Sequence, residues 1–170
     1  MVLLALGAFL IVTGAPKTCS DREIAPISAA VAAELDERWD QFSIDIATAA
    51  TSIDITESEA TSRARQYIED RDVPLDDLSV YFCGDGKGQL AGKVEALGID
   101  AGFVVTGHLD LTGARPVVQL DSLHAGNLPG FISDAVFDFL LDDDARTLEL
   151  DENLLGSEIS DGLIIISGGP

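Results

Sequence analysis

The sequence predicts an α+β domain in which a curved antiparallel β-meander packs against a long helix at residues 129–141, with further helices on its N-terminal side. Three observations predict it. Apolar residues recur three or four apart through residues 24–43 and again through 57–70, as one face of a helix requires. From Leu78 the period drops to two and stays there to about residue 125, interrupted only by short turns. Helical spacing then returns in Phe131, Ile132, Ala135, Val136, Phe139 and Leu140, with Phe137 and Leu141 widening the stripe until only Ser133, Asp134 and Asp138 are plainly polar.

The chain opens on residues 1–16, which carry no charged side chain and are mostly Val, Leu, Ala, Phe and Ile. A bilayer core asks for about 20 apolar residues, so this stretch is read as a signal peptide or a membrane anchor. Residues 17–52 form a lead-in helix and linker, and residues 53–170 a single α+β domain. In the lead-in helix, Ile24, Ile27, Val31, Leu35, Trp39 and Phe42 make the apolar stripe over residues 24–43. Thr56 and Glu59 then fit a capping box, in which each side chain satisfies an amide of the other's turn. The helix they start, over residues 57–70, is expected to bury Ala60, Ala64, Tyr67 and Ile68.

In the meander, Leu78, Val80 and Phe82 share a strand face, residues 84–88 make a glycine-rich turn, and Leu90, Gly92, Val94 and Ala96 continue the alternation. The apolar phase then jumps to odd positions, Leu97, Ile99, Ala101, Phe103, Val105, Leu109 and Leu111. A one-residue slip reverses every side chain, so a bulge or turn is required at 96–98. A turn at 112–116 leads to a strand over 117–123, and a short strand follows the third helix at 146–150. The last strand, Ile159–Ser167, is apolar on both faces at Leu163–Ile166 and is expected to lie inside a sheet.

Thirty acidic residues against ten basic ones give a formal net charge of −20. Phosphate backbones are held by cationic patches, so nucleic acid is excluded as a partner. Gly84-Asp85-Gly86-Lys87-Gly88 lacks the Lys-Ser/Thr ending of a phosphate loop and precedes a strand rather than a helix, which makes it a hairpin turn. No Gly-x-Ser-x-Gly elbow occurs, so no catalytic residue is assigned. His108 and Asp110 lie two apart on one strand face, with Asp121 and His124 on the next strand, which suggests a metal-dependent hydrolase. Zinc usually takes three or four ligands, and with two histidines in the chain a solvated strand face is the simpler reading; no metal or cofactor is called for. Cys19 and Cys83 would close a long loop if paired in an oxidising compartment, or stand as an incidental and a buried thiol if not.

The order of parts, with the run Ile53-Asp54-Ile55-Thr56-Glu57-Ser58-Glu59-Ala60, the meander at 78–125, the Gly126-Asn127-Leu128-Pro129 lead into a helix and the closing strand with Asp161-Gly162, resembles small bacterial extracytoplasmic domains of the LmeA-like and YpmS-like kind. It departs from them at Ala60-Thr61, where a Leu-Asn pair would be expected. The resemblance spans about residues 53–168 and implies half of a tubular lipid-binding fold carried on an N-terminal signal or anchor. The expected function is therefore an exported or membrane-tethered domain that binds a lipid or other apolar small molecule between sheet and helix, lined by Phe103, Val105, Phe131, Val136, Phe139 and Leu140. The alternative is a cell-envelope interaction or scaffold module without a ligand, acting through the solvent face of the sheet at His108 and Asp110. Excess apolar area on the third helix fits either a buried core helix or an open groove. Nothing in the pattern fixes an oligomeric state.

Overall fold

The computed structural model describes residues 16–70, 75–96, 99–110, 117–125, 147–149 and 154–170. All but Pro16 of the expected anchor (residues 1–16), the turn at 112–116, the helix at 129–141 and the acidic turn at 142–144 lie outside the described residues. Among the described residues, two helices and two antiparallel sheets make an α+β fold. Helix α1 spans Ala29–Asp45 and helix α2 Glu57–Asp70. The strands are β1 (Thr51–Thr56), β2 (Leu75–Phe82), β3 (Gly88–Ala96), β4 (Ile99–Asp110), β5 (Val117–Ala125), β6 (Thr147–Glu149), β7 (Leu154–Ser160) and β8 (Leu163–Gly168).

The first helix starts later than its apolar stripe. Pro26 disfavours helical backbone at Ala25, and Ser28 supplies the cap, its Oγ accepting from the Val31 amide at 3.2 Å. Ile24 and Ile27 therefore precede the helix, and its C-terminal end reaches Asp45, inside the stretch expected to be a linker. The second helix matches its capping box: Glu59 Oε2 accepts from both the amide and the hydroxyl of Thr56 at 2.8 Å, and Thr56 Oγ1 accepts from the Glu59 amide at 3.3 Å. Tyr67, expected inside, is 46% exposed, because the buried side of α2 carries Glu57, Thr61 and Ser62 instead.

The meander forms a five-stranded sheet in the order β2-β3-β4-β5-β6. The phase jump at 96–98 is a hairpin: Ala96 pairs with Ile99, and the register runs on to Gly88 opposite Gly107. The smaller sheet has the order β1-β8-β7, which places β8 in the interior as its apolar run requires. The chain arrives there by a hairpin rather than as one strand from Ile159. Ser160 pairs with Leu163 across Asp161-Gly162, with Gly162 at a φ of 87°, the left-handed conformation glycine adopts without steric cost.

Two cores form among the described residues. Leu35 and Phe42 of α1 and Ile46, which caps its C-terminus, meet Ile53, Ile55, Phe82, Leu154, Ile164 and Ile166 in the first. Leu78, Ala101, Phe103 and Val105 form the second, with Ala64 and Ile68 of α2 and Leu90, Leu120 and Leu123 of the sheet packed on them. At Gly92 an added Cβ would stand 3.0 Å from Phe103 Cζ and 3.1 Å from the Asp76 carbonyl oxygen, so glycine there makes room for the aromatic ring.

The cysteines are paired. Cys19 and Cys83 are joined by a disulfide that closes a loop with a sequence separation of 64 residues. On chain-entropy grounds such a loop contributes about 4 kcal/mol.

Candidate functional site

The five-stranded sheet has two unlike faces. Because side chains alternate and partners in register share a face, Leu90, Val105 and Leu123 point one way, toward α2, and Gln89, Thr106 and Ser122 point the other. The first face is filled by protein: Phe103 is 2% exposed and Val105 9%, both within the second core beneath Ala64 and Ile68. Of the six residues expected to line a ligand space, these two are described; Phe131, Val136, Phe139 and Leu140 lie outside the described residues.

The outward face holds a polar cluster built by a bulge. Thr106 is opposite Ser122 but Gly107 is opposite Leu120, so Asp121 is an extra residue in β5. This shift reconciles the even apolar positions Val118 and Leu120 with the odd position Leu123. It also sends Asp121 to the outward side, where its Oδ1 lies 2.9 Å from His108 Nδ1 and its Oδ2 3.1 Å from Lys87 Nζ. Bulges commonly re-aim a side chain in this way. The Lys87 hydrogen bond, assisted by the charge of His108, holds the Asp121 carboxyl below the usual carboxylate range. Beside the cluster, Gln89 Nε2 donates to Thr106 Oγ1 at 3.3 Å and Gln89 Oε1 accepts from the Cys19 amide at 2.7 Å.

The four residues of the hydrolase reading are not gathered. His108 and Asp121 are in contact, but His124 pairs with Val104, four residues along β4 from His108 and about 13 Å away at 3.3 Å per residue. With Lys87 on its other oxygen, Asp121 is an ion-pair partner rather than a vacant ligand. Among the described residues no group of three His, Cys, Asp or Glu side chains is placed to hold a metal. The Asp121–His108 contact orients an imidazole, and the Thr106 and Ser122 hydroxyls share its face of the sheet.

Hollows elsewhere are charged. One of about 260 Å³ between α2 and β2 is lined by Arg65, Glu69, Asp76 and Asp77 with Ile68, Leu75 and Leu78. Another, of about 190 Å³, lies between α1 and β1 beside Arg38, Asp45 and Asp54. Phe42 and Ile53 also line the second, and neither hollow includes Phe103 or Val105.

The sequence singled out His108 and Asp121 but not Lys87 as their partner. The signal for Asp121 was present, as the break in apolar phase between Leu120 and Leu123. The contribution of Lys87 depends on the β2–β3 turn folding toward β5, which local pattern does not encode. No protein-family model, curated protein or solved structure matches the chain.

Proposed function

We propose that this protein is an exported, disulfide-stapled interaction module of the cell envelope, tethered through its N-terminal apolar segment, that captures a partner on the outward face of its five-stranded sheet. The observation that carries this reading is the division of labour between the faces. The face bearing Phe103 and Val105 is packed under α2, while the outward face presents His108, Asp121 and Lys87 in a fixed arrangement. On a chain of net charge −20, the lysine and histidine of this patch offer an approaching partner cationic or hydrogen-bonding groups. Disulfides persist in oxidising compartments, which supports export.

Lipid or apolar-ligand binding, expected from the sequence, is the second reading. Phe103, Val104 and Val105 are all covered by protein. In this reading the ligand is therefore held by Phe131, Val136, Phe139 and Leu140 rather than by those three.

One experiment separates the two. The full chain and its His108→Ala, Asp121→Ala and Phe139→Asp variants are compared for cross-linking to envelope proteins and for lipid retained in native mass spectra. The interaction reading expects cross-linking to be lost in the first two variants while both keep the far-UV circular dichroism of the folded protein. Unchanged cross-linking there, with bound lipid lost in Phe139→Asp, replaces it with the second reading.

A further inference from the structure

Ahead of α1, residues 16–27 run as an irregular strap along the surface and touch both sheets. The strap contributes none of the buried side chains of either core. It is held at three places. Cys19 is bonded to Cys83 at the end of β2, and its amide donates to Gln89 of β3. Arg22 Nη2 lies 2.5 Å from Asp161 Oδ1 in the β7–β8 turn, and its Nη1 3.8 Å from Glu57 Oε2. Near α1, the Pro26 carbonyl accepts from the Ser58 hydroxyl, and the Ser28 amide donates to Ser62 Oγ at 3.2 Å.

These pins differ in kind. The Arg22 pairs are exposed on the arginine side, which is 43% accessible, and ion pairs of that sort are weak and screened by salt. The last pin belongs to the start of α1 and is retained wherever the helix is folded. The disulfide is the only covalent pin, and Cys19 is on the surface while Cys83 is 4% exposed.

We propose that the Cys19–Cys83 disulfide is a redox latch that sets where the N-terminal residues leave the folded body. Oxidised, the chain departs at Cys19, beside the β2–β3 turn. Reduced, it departs at Pro26, which the retained Ser58 contact still holds, and the freed stretch of roughly seven residues adds up to about 23 Å of reach. The reductant is a dithiol. Its thiolate attacks the accessible sulfur of Cys19, the Sγ–Sγ bond breaks and Cys83 leaves as a thiolate; the second thiol then resolves the mixed disulfide. Two electrons and two protons reach the cysteines, and the dithiol ends as a disulfide. Because the strap lies outside both cores, its release leaves them intact, and an element of low local stability is where such a switch is built.

The test is ¹⁵N relaxation of the full chain in detergent micelles, oxidised and after dithiothreitol, with thiol titration to establish that both cysteines are reduced. The latch requires amides of residues 17–25 to fall from order parameters of about 0.85 to below 0.6 on reduction, while those of Phe82 and Ile164 do not change. It also requires the strap of oxidised Arg22→Gln to stay rigid. A strap that remains rigid with both thiols free overturns the proposal, because the other pins then suffice. Collapse of the Phe82 and Ile164 signals overturns it as well, by making the disulfide a structural staple. Release in oxidised Arg22→Gln assigns control to the ion pair and likewise rejects the latch.

Discussion

Glu57 Oε1 accepts the amide proton of Phe82 at 2.9 Å, so a carboxylate at the first turn of α2 caps the free edge of β2. One turn later, Thr61 Oγ1 accepts from the Val80 amide at 2.9 Å, and one turn after that Arg65 Nε donates to the Leu78 carbonyl at 2.7 Å. Residues 57, 61 and 65 form one stripe along the helix, and 78, 80 and 82 are the alternate residues of the strand whose polar groups point away from β3. The helix thus supplies, side chain by side chain, what another strand would supply through its backbone. An edge left open is a template for aggregation, and this one is closed.

Thr61→Val tests that arrangement with little change of shape. It removes the acceptor of the Val80 amide at a position with no solvent exposure, so the N–H is left without its partner. Denaturant unfolding should show a loss of about 1–3 kcal/mol, the cost of stranding a buried polar group, and the Val80 amide should exchange faster. An unchanged midpoint would mean that the edge finds another acceptor.

Gly92→Ala should destabilise by about 1–3 kcal/mol, because the new methyl meets the Phe103 ring and the fixed Asp76 carbonyl at once. Phe103→Leu removes one obstacle and leaves the Asp76 carbonyl and Leu78 Cδ1, each 3.1 Å away. In a double-mutant cycle the two substitutions should therefore couple, with Phe103→Leu recovering part of the loss in melting temperature.

Much of this architecture is legible from local pattern. The capping box of Thr56 and Glu59, the glycine-rich turn after Phe82 and the interior position of β8 each follow from residues close in sequence. Where an element stops short of its apolar spacing, a residue with its own backbone preference intervenes. Ile24 and Ile27 fit the stripe of α1, but Pro26 and the Ser28 cap end it sooner. Ile159 fits the run of β8, but Asp161-Gly162 turns the chain between them. What local pattern does not contain is pairing at a distance. Glu57, Thr61 and Arg65 are visible as a helical stripe, yet only the tertiary fold reveals that their partner is an edge strand, and the same holds for Lys87 and Asp121.

Removing the disulfide by Cys19→Ser with Cys83→Ser should lower unfolding stability by about 4 kcal/mol, acting mainly by freeing the loop between them in the unfolded chain. The far-UV circular dichroism should be retained, since neither core draws a side chain from the strap. Loss of folded signal at room temperature would show that the remaining contacts do not hold the two sheets together.

Acid should act on the outward cluster in a definite direction. Asp121 is held below its ordinary pKa first by its hydrogen bond to Lys87 and also by the charge of His108, so its ion pairs stabilise the fold above the unfolded-state value of about 3.9. That contribution is lost as pH falls through the lower folded-state pKa. Lys87→Met removes the hydrogen bond and should move the Asp121 carboxyl upward, toward the ordinary value, in a ¹³C-detected titration. The stabilisation at stake is then lost at a higher pH than in the wild type, and the acid limb of the stability curve shifts with it. Asp77, held low by Lys93 at a separate place on the same sheet, should titrate unchanged in this variant and serves as the internal control. If Asp121 does not move, the bulge rather than the lysine sets its ionisation, and the Lys87–Asp121 contact is a surface pair without consequence for the cluster.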